Sequence, residues 1–437
     1  MTALAAAPTL RRGACPGLSA PMPTGDGLLV RLRPIGTVSL AAFKALCAAA
    51  RQYGNGVVEI TARGSVQVRG LSATSAPHFV DAITSLGIAA DEGIPVITNA
   101  LAGLDPAELI DAGALAADLR RALARTSLPG RLAPKISVAI DDGGVLKVEN
   151  VSADIRLCAR NANDDVMLDV SVGGDAGSAV PLGAIAPANG VEAAVRLLEV
   201  MARREGASRA RDVLATDDVE PFREALAELF QTRTRPRESG DPGLDSRLRE
   251  NERNSAISLH ILRDGSYAHG VGLAFGHSDA TALERLADAA AVAGAHGARV
   301  APGRALFAIG VTRDSATAFT AAAERLGFIV RADDPRRHVI ACAGAPICAS
   351  AHIAARAMAP RIAEIAAPYL DDSSKIHVSG CAKGCAHAGP AALTVVGTPA
   401  GCALVAYGSA RDEPFAIVVA DQLPAAILNF ARRGRHV

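Results

Sequence analysis

Residues 27 to 70, GLLVRLRPIGTVSLAAFKALCAAARQYGNGVVEITARGSVQVRG, open with apolar and polar positions alternating as on a half-buried strand. A helical spacing of apolar residues follows, then a strand bounded by glycines and a turn. Residues 270 to 310, GVGLAFGHSDATALERLADAAAVAGAHGARVAPGRALFAIG, repeat this strand, helix, strand rhythm. Gly56 aligns with Gly297, Arg63 with Arg304 and Gly70 with Gly310, at offsets of 240 to 241 residues. Lys135-Ile136-Ser137-Val138 aligns with Lys375-Ile376-His377-Val378, again at 240. A common offset in separate matches points to an ancient duplication. The fold expected is α+β, with two small strand-helix-strand units and two larger α/β units.

The join between the copies is visible in residues 231 to 250, QTRTRPRESGDPGLDSRLRE, which are polar, charged and broken by Pro and Gly. Just before it, Pro221 to Phe230 reads as a short helix with its proline in the first turn. The first small unit ends near residue 85, and residues 98 to 123 read as a turn followed by a helix. The expected division is therefore an arm with the first small unit over 1–90, a first α/β domain over 91–230, a linker over 231–259, a second small unit over 260–333 and a second α/β domain over 334–437.

Composition narrows the function. A chain of 437 residues implies two to four domains. With no Trp and 3% aromatics, its core has to be built from Ala, Val, Leu and Ile. No stretch approaches 18 to 20 strongly apolar residues, so no membrane span is expected. Forty-five basic residues against 45 acidic ones argue against an electrostatic nucleic-acid binder. The opening MTALAAAPTLRRG places its arginines after a short apolar stretch, the wrong order for a secretory signal, and a cytoplasmic protein is expected.

Eight cysteines are too sparse for a disulfide scaffold. Four are isolated (Cys15, Cys47, Cys158 and Cys402), whereas Cys342 and Cys348 form one close pair and Cys381 and Cys385 another. Four thiolates are the usual number for a 4Fe-4S cubane or a structural zinc. Spacings of five and then three residues fit zinc knuckles poorly. Gly344, Gly380, Gly384 and Gly389 supply small residues and free amides of the kind needed beside an inorganic core. The plain alternative is four cysteines packed as small apolar residues. The first copy has Asp141-Asp142-Gly143-Gly144 at the place of the second pair and no cysteine.

Other side chains are candidates for binding. Arg63, Gln67 and Arg69 alternate with small or apolar residues and would share one face of an extended strand, suited to ligand carboxylates or to plain solvation. Lys135 and Lys383 could add to the same pocket. His377 and His387 flank the second cysteine pair and could donate protons, ligate a metal or simply support the structure.

Cys-x5-Cys followed by Cys-x3-Cys resembles the signature of the sulfite and nitrite reductase family. That resemblance implies two ferredoxin-like half-domains and two α/β domains, the second carrying a 4Fe-4S cluster on Cys342, Cys348, Cys381 and Cys385. In sirohaem-containing members the last cysteine, here Cys385, also bridges to the sirohaem iron. The resemblance further implies that Arg63, Gln67, Arg69 and the repeat partner Arg304 grip a tetrapyrrole, and that Lys135 is an active-site lysine. The chain departs from the reductase pattern at Ser137, where a second lysine is expected, and at Ile94 or Pro95, where an arginine is expected. Half of the anion cage is thereby missing.

Arg12-Gly13-Ala14-Cys15-Pro16 and Pro21-Met22-Pro23-Thr24-Gly25-Asp26-Gly27-Leu28-Leu29-Val30-Arg31 resemble instead the opening of the precorrin-3B-forming branch of the same family, in aerobic cobalamin biosynthesis. That likeness implies precorrin-3A and dioxygen as substrates, hydroxylation of carbon 20 of the macrocycle with lactone formation, and a mononuclear iron whose ligands the sequence does not identify. No Gly-x-Gly-x-x-Gly fingerprint opens a strand-turn-helix unit, so NADH is expected to act through a separate ferredoxin or flavoprotein reductase. Sirohaem belongs only to the alternative reading, a sulfite or nitrite reductase; a non-enzymatic electron-transfer protein is the third.

Overall fold

The repeated glycines mark backbone that the fold bends in the same way twice. In the computed structural model, which describes residues 16–91, 93–163, 165–203, 208–230, 256–370, 375–387 and 389–433, the chain forms four five-stranded sheets. Cys15 and residues 231–255 of the expected linker lie outside the described residues. The strands in the first half are β1 (Met22–Thr24), β2 (Gly27–Leu32), β3 (Val38–Ser39), β4 (Val57–Ile60), β5 (Val66–Leu71), β6 (Val96–Ile97), β7 (Val138–Asp141), β8 (Ala153–Ala162), β9 (Asp165–Gly174) and β10 (Val180–Ile185). Those in the second are β11 (Leu259–Ile261), β12 (Tyr267–Gly272), β13 (His277–Asp279), β14 (Gly297–Ala301), β15 (Ala305–Val311), β16 (Val339–Ala341), β17 (Ile376–Ser379), β18 (Ala391–Thr398), β19 (Gly401–Gly408) and β20 (Ala416–Val418).

The two ferredoxin-like sheets are antiparallel and run β1-β2-β5-β4-β13 and β11-β12-β15-β14-β3. Each copy thus lends one short strand to the other: β3 pairs with β14, and β13 with β4. The lent strand ends in a helix cap. Ser39 accepts from the Ala42 amide to start the helix Leu40–Tyr53, and Asp279 accepts from the Thr281 amide to start Ala280–Val292. These two helices pack together, so Phe43, Leu46, Ala50, Leu283 and Leu286 belong to one apolar core spanning both copies, which Phe319 of the helix Ala316–Arg325 joins.

Gly70 and Gly310 occupy matching bulges, where the ladders of β5 with β2 and of β15 with β12 shift register. Their φ angles are +72° and +95°. The amides of Asn55 and His296 hydrogen-bond to the carbonyls of Arg69 and Ile309, which tucks each preceding loop beside its glycine. A Cβ on Gly70 would stand 2.9 Å from the Asn55 backbone nitrogen, whereas one on Gly310 would meet only the His296 ring, which can swing away. Gly70→Ala is therefore expected to cost about 2–3 kcal/mol, measured by denaturant unfolding, and Gly310→Ala less. Equal losses at the two sites would count against this account of the bulges.

The remaining sheets share one topology. In β6-β7-β8-β9-β10 and in β16-β17-β18-β19-β20 the first three strands are parallel and the last two antiparallel. The Lys-Ile-x-Val repeat leads into the second strand of each, with Val138 beside Val96 and Val378 beside Ala341. Among the described residues no helix is long and apolar enough to cross a membrane.

Candidate active site

Parallel neighbours place their carboxyl ends side by side, which is where α/β sheets assemble binding sites. Cys342 directly follows β16 and Cys381 comes two residues after β17, so the sheet brings together two cysteines 39 positions apart in sequence. The Cys342 amide donates to the Val378 carbonyl at 3.2 Å, and the Gly380 amide donates to Cys342 Sγ at 3.0 Å. The loop to Cys348 folds back on itself: Cys348 N–H donates to Gly344 O at 2.8 Å and His352 N–H to Gly380 O at 2.7 Å. Gly380 has no room for a side chain, since a Cβ there would lie 2.7 Å from Ala351 Cβ and 3.4 Å from Cys342 Sγ.

Cys342, Cys348 and Cys381 are half-buried and Cys385 is exposed. Desolvation pushes the Cys342 thiol up, the amides of Gly380 and Gly344 pull it down, and Cys381 and Cys348 push it up again. Desolvation likewise raises the Cys385 thiol; Cys342, Cys381 and Cys348 add to that, and Arg69 opposes it. Cys348 and Cys381 thus disfavour the thiolates of both Cys342 and Cys385, a repulsion that a cation among them would relieve. Among the described residues no three His, Cys, Asp or Glu side chains converge on a single-ion site. By contrast Cys47 lies in the apolar core with its thiol pushed up to about 12 by burial, a position that suits packing and not ligation.

The corresponding place in the first α/β sheet is closed by its own polar groups. Asn99 Nδ2 donates to Asp142 Oδ2 at 2.6 Å, Asp142 accepts from the Gly144 amide, and Asp105 accepts from Ala107 and Val145. Carboxylate-to-amide bonds fill the space that cysteines frame in the second copy.

The first ferredoxin-like sheet lies against the cysteine loops through the β1–β2 hairpin. Gly25 O accepts from the Ala349 amide at 2.9 Å, and a Cβ on Gly25 would stand 2.4 Å from Cys348 Sγ. The next residue, Asp26, receives two hydrogen bonds from Arg69 at 2.7 and 2.9 Å, and Arg69 holds its carboxyl below the usual range despite burial. Glu59 on β4 accepts from Gln67 Nε2 at 3.0 Å and from Arg356 Nη2 at 2.9 Å, while Gln67 also accepts from Arg31. Gly25, Asp26, Glu59, Arg31 and Arg356 are site residues that sequence reasoning missed. The stretch from Pro21 to Arg31 drew notice only as part of a resemblance.

The expected strand face of Arg63, Gln67 and Arg69 is corrected in part. Gln67 and Arg69 do share β5, but Arg63 lies in the preceding turn, because Gly64 at φ +73° ends the extended run. Arg63 bridges to Pro302 across the two copies and donates to the Ser152 carbonyl at 2.9 Å. Gln67 and Arg69 are engaged by the protein's own carboxylates. Lys135 stands exposed on the turn before β7. Lys383 reaches back to the first cysteine loop, donating to Ser350 Oγ at 2.9 Å. Ser137 is fully buried with its hydroxyl unpartnered, and Ile94 is buried, so neither supplies a cation.

Arg304 occupies a turn at φ +65° beneath Gly276; burial lowers its guanidinium to about 10, which leaves it charged at neutral pH. His377 on β17 is completely buried with neither ring nitrogen hydrogen-bonded, and its ring stands edge-on to His387 at 5.7 Å. Burial, then His387 and Arg304, push His377 down to about 4. Burial lowers His387 too, although its Nε2 meets the Pro390 carbonyl at 3.0 Å. His377 is neutral at pH 7, and the unfilled hydrogen-bonding capacity around it is what a bound group would satisfy.

Comparison with known proteins bears on this geometry. Residues 20–86 match the model of the nitrite/sulfite reductase ferredoxin-like half domain. A precorrin-3B synthase of Sinorhizobium sp is 39% identical over 433 residues, covering 98% of this chain and 89% of that protein. Sulfite reductase [ferredoxin] 2 of Mycolicibacterium paratuberculosis is 24% identical over 80% of this chain and 66% of its own. The solved structure of the Mycobacterium tuberculosis NirA protein superimposes with a TM-score of 0.72 at 19% identity, over 94% of this chain and 84% of that one, and shows a common fold.

Proposed function

Because the chain belongs to the precorrin-3B synthase family, within the nitrite and sulfite reductase-like enzymes, we propose that it is an iron–sulfur monooxygenase that converts precorrin-3A to precorrin-3B. One oxygen atom of dioxygen would enter carbon 20 of the macrocycle as hydroxyl, a lactone would close, and the other atom would leave as water. The two electrons needed would come from NADH through a ferredoxin or flavoprotein reductase. The observation that carries this reading is the likeness to a precorrin-3B synthase across nearly the whole chain.

Cys342, Cys348, Cys381 and Cys385 would hold a 4Fe-4S cluster, which supplies one-electron transfer that no side chain provides. Their arrangement supports this. The ends of the parallel strands β16 and β17 bring Cys342 and Cys381 together, and Cys348 and Cys381 act on both Cys342 and Cys385. The amides of Gly380 and Gly344 donate toward Cys342 Sγ and would stabilise its thiolate. Arg304 has no carboxylate partner among the described residues and would take a peripheral carboxylate of the macrocycle. Neutral His377 and His387 could pass a proton or orient the ring edge. A mononuclear iron remains part of the reading, without assigned ligands.

Sirohaem-dependent sulfite or nitrite reduction is disfavoured by Ser137 and Ile94, which leave the basic cage incomplete. The deciding measurement is the visible spectrum of anaerobically purified protein with iron, sulfide and extractable sirohaem quantified. A broad absorption near ~400 nm without haem bands is expected for a cubane alone. Stoichiometric sirohaem would overturn the proposal, and so would an iron-free protein that turns over precorrin-3A.

A further inference from the structure

The seam between the first ferredoxin-like sheet and the cysteine loops holds three guanidinium groups, Arg69, Arg356 and Arg304, against two carboxylates, Asp26 and Glu59. Asp26 is committed to Arg69. Glu59 is shared: Oε1 accepts from Arg356 at 2.9 Å, and Oε2 accepts from Gln67 at 3.0 Å while facing Arg69 Nη1 at 3.7 Å. The Glu59 and Arg356 side chains are only 14% and 15% exposed, so their charges are weakly screened. Arg356 Nε is buried with no hydrogen-bond partner. Backbone contacts carry this seam to the cysteine loops: Gly25, next to Asp26, accepts from the Ala349 amide at 2.9 Å, and Gly344 lies so close to Ala355, next to Arg356, that a Cβ there would collide with it. Glu59 therefore stands between two of the guanidinium groups that border the cysteine loops.

We propose that Glu59 sets the reduction potential of the cluster, holding Arg69 and Arg356 beside the cysteine loops while its own charge offsets theirs. The inference rests on the cluster assignment above. A nearby positive charge favours the added electron and a negative charge opposes it. Losing Glu59 leaves Arg356 without a carboxylate and Arg69 with Asp26 alone, which raises the potential. Losing Arg356 lowers it. A purely structural latch between the half-domain and the cysteine loops would give no such opposition of sign.

The test is an anaerobic redox titration, followed by electron paramagnetic resonance, of the wild-type protein, Glu59→Gln, Arg356→Gln and the double variant. At a fixed solution potential the reduced-to-oxidised ratio should rise about tenfold in Glu59→Gln and fall about tenfold in Arg356→Gln, roughly 59 mV each for one electron. The double variant should return near wild type, and Arg356→Lys, which keeps the charge, should stay there. Shifts of the same sign, or no shift in cluster-loaded variants, would overturn the role. Loss of the cluster from every variant would assign these residues to holding it and would also overturn tuning. A wild-type protein without a cluster would instead defeat the functional assignment itself.

Discussion

Cys385→Ala should leave a folded protein without a 4Fe-4S cluster. Cys385 is exposed, so its truncation is expected to change stability by no more than about 0.5 kcal/mol. Its loss as a ligand is another matter. Groups that merely support a metal ligand cost about 10–100-fold when removed, and a ligand should cost more, so turnover should fall by more than about 100-fold. Iron, acid-labile sulfide and the broad visible absorption should disappear together. Cys158→Ala is the control, because Cys158 lies on β8 in the sheet without paired cysteines and should keep full iron content. If Cys385→Ala retains iron, sulfide and activity near the wild-type level, the four-cysteine assignment fails.

The second large effect is expected at a residue with no chemistry of its own. Gly25→Ala would place a methyl group 2.4 Å from Cys348 Sγ and 3.3 Å from the Ala349 nitrogen. The sulfur can rotate away more cheaply than the backbone can move, so the chain should still fold while Cys348 leaves its ligating position. Iron bound per chain under limiting iron should drop about 10–100-fold, with little change in the unfolding midpoint of the iron-free protein. Gly17→Ala, which meets nothing closer than Ser19 Oγ at 4.0 Å, should behave as wild type. Full cluster occupancy in Gly25→Ala would show that the hairpin does not set the position of Cys348.

How much of this was legible in the sequence depends on how local the constraint is. The duplication could be read because Gly70 and Gly310 obey the same rule: a bulged strand with φ above zero beside a tucked loop favours glycine wherever it occurs. The cysteine pairs could be read because their spacing is a local property of two turns. Arg63 was placed on the wrong element because an alternation of two cannot register a break at Gly64. Glu59 left no mark, since its ion pair with Arg356 joins residues 297 positions apart and imposes no pattern on its neighbours. The lent strands were invisible for a related reason. A strand of two residues, Val38–Ser39, has no period, and its partner Gly297 belongs to the other copy.

Those lent strands bind the two copies into one cooperative unit. Neither ferredoxin-like sheet is complete without the other, and neither of the paired helices starts without a cap residue that sits in the opposite sheet. Severing the copies would open a sheet edge on each and uncover the shared apolar face, both of which invite self-association. The arrangement is that of a swapped dimer joined into a single polypeptide. An ancestral half-length chain could have folded this way only against a second copy of itself.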